Sequence, residues 1–245
     1  MSTLSSVILA STIVSLISLT GSVFLIKKDF LTKYAFYLVS FAAGVLLSTA
    51  LLDLLPESVR TEHTIEIQYP ILFGIVFLFL LERFLIWFHH HDNTHNTKPS
   101  VYLILFGDGI HNFFDGIAIA TTFLANPKLG VITTLAIIAH EIPQEIADFT
   151  ILIHDGLSKT KALFFNFISA LAALLGAVLG VYFLSKLQYL LPTFLAFTAG
   201  TFIYITCSDL IPDLHHDFKE HGKWAQTIPF VFGIVLMWLL IRLID

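Results

Sequence analysis

The sequence predicts an all-α polytopic membrane protein with eight transmembrane helices, in which helices 1–3 and 6–8 form an inverted repeat around helices 4 and 5. Three observations predict it. Only 13% of the 245 residues are charged and 56% are hydrophobic, with a mean hydropathy of +0.84; a soluble domain carries about twice that charged share. Eight apolar runs, at about 4–26, 34–55, 69–88, 101–124, 128–153, 161–184, 191–212 and 226–244, each match the thickness of a bilayer's hydrocarbon core. They tile almost the whole of 1–245, so one transmembrane domain accounts for the chain. The third observation is a likeness between its two ends.

Taken in order, the first run has no basic n-region and no clear cleavage site, and is too long for a signal peptide, so it reads as a retained span. The second, "SFAAGVLLSTALLDLLPE" (40–57), is matched by the seventh, "AFTAGTFIYITCSDLIPD" (196–213). Phe41, Ala43, Gly44, Asp53, Leu54 and Pro56 answer to Phe197, Ala199, Gly200, Asp209, Leu210 and Pro212. The third, "PILFGIVFLFLLER" (70–83), is matched by the eighth, "PFVFGIVLMWLLIR" (229–242). The first and sixth share a weaker "GSVFLIK" (21–27) against "GVYFLSK" (180–186). Offsets of 156 and 159 keep the order, and five spans separate each segment from its copy, so the triplets cross in opposite directions. Inverted triplets mark alternating-access transporters, whose substrate site lies near the midplane.

The unpaired fourth and fifth runs hold the densest polar groups. On the fourth, Asp108, His111 and Asp115 fall at i, i+3 and i+7 with Asn112 beside them, so they share one helix face. On the fifth, "HEIPQEIADF" (140–149) sets His140 and Gln144 at i and i+4, and Glu141, Glu145 and Asp148 at i, i+4 and i+7. Pro143 removes a backbone hydrogen bond and is expected to kink this helix and spread the ligands round a cavity. An ionisable group at mid-span costs roughly 3 kcal/mol or more. Five acids stand against two histidines, with no Lys or Arg at that depth. A divalent cation is the natural counter-charge. Imidazole, carboxylate and carboxamide suit Zn2+, Fe2+, Mn2+, Co2+ or Cd2+ without choosing among them; the lack of thiolate disfavours Cu+, and Mg2+ and Ca2+ prefer all-oxygen shells. The bland alternative is a structural network of carboxylates and histidines gluing two helices, which fits Asp108 and Asp148 best.

"HNFFDGIAIA" followed by "HEIPQEIADF" resembles the paired signatures of the ZIP (Zrt/Irt-like) divalent-metal transporters. The likeness is closest to the HExPHE-type group and its bacterial relatives. "TAGTFIYITCSDLIPDL" and "SALAALLGA" are similar to that group's seventh and sixth helices, so the resemblance covers essentially the whole chain. It implies eight spans in a three-two-three plan, outside termini and a histidine-bearing loop after the third helix. Here that loop is 89–100, beginning "HHHDNTHN". It implies a transport site at His111, Asn112, Asp115, His140, Glu141 and Gln144. Two departures stand out. Gln144 occupies a place where many members have a second His, and Ala173 stands where some members add a glutamate that completes a second metal position. With Glu141 about 100° round the helix from His140, towards that second position, one metal per chain is expected.

The remaining polar groups admit two readings each. Asp53 and Asp209 line the outer and inner vestibules, or are polar helix ends. Asp108, Glu145 and Asp148 are accessory pathway groups or structural ones. His89, His90, His91 and His95 catch metal at the inner mouth, or belong to a solvated loop; His215, His216 and His221 are similar. Lys and Arg fall nine to four on the side of the loops after the first, third, fifth and seventh runs, which puts both termini outside a cell membrane. The single cysteine, Cys207, excludes a disulfide framework or a Cys-based zinc site. No GxxxxGK[ST] is present, so movement is expected to be downhill or ion-coupled. Lipid and the metal ion are the expected partners, with no nucleic acid and a homodimer left open. The rival from another class is an intramembrane zinc-dependent hydrolase, suggested by "HEIPQ"; that motif needs a second His where Gln144 stands. A transporter, not an enzyme, is the expectation.

Overall fold

The computed structural model describes residues 2–24, 28–61, 66–89, 99–154, 157–216 and 223–244. Among them the helices are α1 (Thr3–Phe24), α2 (Lys28–Thr49), α3 (Leu55–Thr61), α4 (Gln68–His89), α5 (Pro99–Ala125), α6 (Pro127–His154), α7 (Lys159–Leu184), α8 (Leu191–Ile205), α9 (Ile211–His216) and α10 (Lys223–Ile244). The described residues contain no strand. Four helical stretches among them are long and apolar enough to cross a membrane: Tyr37–Arg60, Lys159–Leu184, Gln188–Ser208 and Gln226–Leu243. The sequence leads one to expect eight. α5 and α6 are longer still, at 27 and 28 residues, but their apolar runs are broken by the polar groups at 108–115 and 140–148.

Local chemistry sets several helix ends. Between α5 and α6, Asn126 Oδ1 accepts from Lys128 N at 2.9 Å and Pro127 takes the first helical position, where its missing N–H has no cost. Ser158 caps α7 by accepting from Lys161 N. Within the helices, the hydroxyls of Thr49, Thr122, Thr134 and Thr206 donate to carbonyls four residues back, at 2.6–2.9 Å. Such back-bonds satisfy polar groups that lipid cannot.

Two helices contain a π-turn, at Ala50–Leu54 between α2 and α3 and at Thr206–Leu210 between α8 and α9. The cause is a proline. Pro56 and Pro212 lack an N–H, and each ring crowds the carbonyl four residues earlier, at Leu52 and Ser208, inside the turn. Widening the helix there relieves the clash without ending it. The second helix therefore continues past the apolar run that ends near 55, to Thr61. In α6 the backbone stays helical through Pro143.

Helix packing relies on close approach at small residues, as it must where lipid is as apolar as the side chains. α5 packs most extensively on α7. At that crossing Gly116 lies against the backbone of Ala173 and Ala177, and Gly176 against Phe113 O, with no room for a Cβ at either glycine. α2 crosses α10 where Gly44 meets Phe230 O and Gly233 meets Phe41 O. α4 crosses α8 where Gly200 meets Ile71 O and Gly74 meets Phe197 O. A buried core that includes Val14, Leu46, Ile119, Ile137, Phe202 and Met237 joins α1, α2, α5, α6, α8 and α10. The polar groups of α5 and α6 lie next to it.

Candidate metal centre

His111 and Asp115 are one turn apart on α5, and His140 and Glu141 are adjacent on α6, the helix packed beside it. One ligand atom from each lies within 4.8 Å of all the others. His111 Nε2 is 3.2 Å from His140 Nε2, 3.6 Å from Glu141 Oε1 and 3.8 Å from Asp115 Oδ2. His140 Nε2 is 3.3 Å from Asp115 Oδ2 and 3.8 Å from Glu141 Oε1. Four ligands at about 2.1 Å round a tetrahedral ion stand about 3.4 Å apart. The group is therefore already close to the size of a metal's first shell.

Its environment favours a cation. His140, Glu141 and Asp115 have side chains 5% exposed or less, and His111 is 15% exposed. His140 Nδ1 donates to Ala136 O at 3.1 Å, which leaves Nε2 as the ligating nitrogen and fixes the ring. The ring edge also packs against Phe202, with centroids 6.0 Å apart. Asp115 Oδ2 and Asn112 Oδ1 are buried without a hydrogen-bond donor. An unmet buried acceptor costs about 1–3 kcal/mol, and a positive ion held by the group would satisfy Asp115 Oδ2.

The remaining candidates divide. Asn112 is fully buried beside the group, and its Nδ2 donates to Asp108 Oδ1 at 2.8 Å. Gln144 is half-buried, one turn beyond His140. Glu141 departs from the expectation drawn from helix phase alone: its carboxylate reaches back to both imidazoles, because a long side chain spans the angle between neighbouring helix positions. Glu145 is fully buried and accepts from Asn166 Nδ2 of α7, and Asp148 is half-buried. Ala173, fully buried at the α5–α7 crossing, offers no ligand atom. Asp53 lies apart, in a polar cavity with Glu57, Arg60, Asn126 and Lys128. His89 ends α4 and Asp209 belongs to the second π-turn, but both side chains lie outside the described residues, as do His90 and His91.

One contribution was not read from the sequence. A small cavity beside the centre is lined by His111, Phe114, Asp115, Ile117 and Ala118 of α5, by Leu78 of α4, and by Phe197, Thr198, Thr201 and Ile205 of α8. The threonines stand at i and i+3 of α8, one helix face, but nothing in that spacing says which neighbour the face meets.

A family model described as "ZIP Zinc transporter" matches residues 3–101 and 89–241. Among individual relatives, zinc transporter zipt-7.2 of Caenorhabditis elegans is 38% identical over 157 residues, 59% of this chain and 32% of its own. Zinc transporter ZIP10 of Danio rerio is 36% identical over 145 residues, 56% of this chain and 17% of its own. Zinc transporter ZIP13 of Pongo abelii is 31% identical over 223 residues, 85% of this chain and 67% of its own. The chain thus spans about a third or less of the first two relatives.

Proposed function

The chain belongs to the ZIP zinc transporter family, and from that premise we propose that it carries divalent transition-metal cations into the cytoplasm by alternating access. Zinc is the first substrate, on the relatives' names; Fe2+, Mn2+, Co2+ and Cd2+ have compatible ligand preferences. The observation that carries the reading is the buried group His111, Asp115, His140 and Glu141. Two carboxylates neutralise a 2+ ion, and two imidazoles favour a transition metal. Asn112 and Gln144 are proposed as further ligands drawn in when the ion arrives. Within the family, the paired motifs on α5 and α6 favour a place among bacterial-type relatives of the HExPHE group.

The proposed frame is a single domain of eight spans, with the triplets before α5 and after α6 related by inversion. Three correspondences support it. The π-turns lie 156 residues apart, each just before its proline. The α2–α10 crossing, Gly44 on Phe230 and Gly233 on Phe41, exchanges into the α4–α8 crossing, Gly200 on Ile71 and Gly74 on Phe197, at the offsets of the sequence repeat. Arg83 lies over Phe79 at 5.4 Å and Arg242 over Trp238 at 4.7 Å, again 159 residues apart. Asp53 and Asp209 then serve as equivalent vestibule groups. Asp108, Glu145 and Asp148 lie on the inner side of the centre as pathway groups, and His89, His90 and His91 catch the ion at the inner mouth. Both termini are proposed to lie outside a cell membrane, and a second copy of the chain is the assembly to test for.

The ligand set is tested by metal binding to purified protein. One zinc per chain is expected. Gln144→His, which adds an imidazole one turn from His140, is expected to tighten binding by about tenfold and to slow uptake, because release becomes harder. Unchanged affinity would mean that Gln144 does not face the ion, and two zinc ions held equally well would refute the argument from Ala173.

A further inference from the structure

The cavity beside the centre has ten lining residues, and apart from His111 and Asp115 the only polar ones are Thr198 and Thr201. The rest of the wall is apolar: Leu78, Phe114, Ile117, Ala118, Phe197 and Ile205. Both threonines are buried, and they come from α8, which contributes none of the four grouped ligands. Thr201 Oγ1 donates to Thr198 O at 2.7 Å. With its proton committed, that hydroxyl oxygen is left as an acceptor. A metal-bound water is a strong donor, because the ion draws charge from it.

We infer that an ion needing more than four ligands sits at the centre partly hydrated, with its remaining water held by the Thr198 and Thr201 hydroxyls, which makes this pair a determinant of metal selectivity. The inference rests on the transport reading above. Four protein ligands already complete the tetrahedral shell that zinc accepts. Manganese takes a larger, oxygen-rich shell, and any position on the cavity side that Asn112 and Gln144 leave unfilled is taken by water, to which the aromatic and aliphatic wall offers nothing. Removing the hydroxyls therefore penalises manganese more than zinc.

The test uses the full chain, titrated separately with Zn2+ and Mn2+, followed by competitive uptake of the two ions into vesicles. Thr201→Val and Thr198→Val keep the branched shape and lose the hydroxyl. Each is expected to weaken Mn2+ binding about fivefold more than Zn2+ binding, the worth of one water-mediated hydrogen bond. Thr201→Ser, which restores the hydroxyl, is expected to return the Zn:Mn ratio to that of the unmodified chain. An equal loss for both ions, or an unchanged ratio in both valine variants, would overturn the inference. Failure of the unmodified chain to move any metal would defeat the transport reading instead, and the binding ratio would still decide the role of the hydroxyls.

Discussion

Replacing Asp115 with Ala or Asn is expected to reduce metal uptake by on the order of tenfold or more, with folded protein still present in the membrane. The reason is charge. A 2+ ion at the centre is neutralised by Asp115 and Glu141, with no other carboxylate in the group. Without one of them a net positive charge remains in a medium where it costs roughly 3 kcal/mol, and each 1.4 kcal/mol is about a factor of ten. Asp115→Asn separates this effect from shape, because it keeps the side chain's size. Loss of His140 removes a nitrogen ligand but leaves the charge balanced, so His140→Ala is expected to be less severe than Asp115→Asn while still well below the unmodified protein. Uptake by purified variants in vesicles, normalised to the amount of folded protein, measures both. Full activity in Asp115→Asn would remove the carboxylate from the site.

The second large effect concerns packing. Gly44→Val and Gly200→Val are each expected to lower the melting temperature in detergent sharply, and by similar amounts. A side chain at either position would meet a backbone carbonyl, Phe230 O or Ile71 O, which cannot move aside as a flexible side chain does. The helices must separate along their whole contact, a cost of at least about 1–3 kcal/mol. The similarity of the two effects matters as much as their size. Gly44 and Gly200 occupy matching places in the repeat, so very unequal losses would argue against inverted triplets. A melting temperature like that of the unmodified protein in either variant would contradict the crossing itself.

The elements within one helix were legible, as was the meeting of α5 and α6 at one polar group, but most other contacts between helices were not. The apolar runs at 128–153 and 161–184 fall within two residues of α6 and α7, because their ends coincide with Asn126, Pro127 and Ser158. His111 with Asp115 and His140 with Glu141 stood out because an ionisable group has no reason to interrupt an apolar helix without a partner. Glu141 was rightly placed among the site residues, but helix phase aimed it at a second metal position, since phase records where Cβ starts and not where a long carboxylate ends. The matched prolines were visible as letters, but the π-turns they cause extend the second helix past the end of its apolar run. Thr198 and Thr201 escaped notice because a threonine in an apolar helix usually back-bonds to its own carbonyls, and only the meeting of α8 with α5 brings them to the cavity.

Uptake by proteoliposomes tests the central claim most directly. Vesicles containing the purified chain, with a zinc-sensitive dye inside and zinc outside, should fill several-fold faster than protein-free vesicles. The rate should saturate with zinc and fall nearly to the protein-free level in Asp115→Asn. Filling no faster than protein-free vesicles for zinc, iron, manganese, cobalt and cadmium alike would contradict metal transport through His111, Asp115, His140 and Glu141.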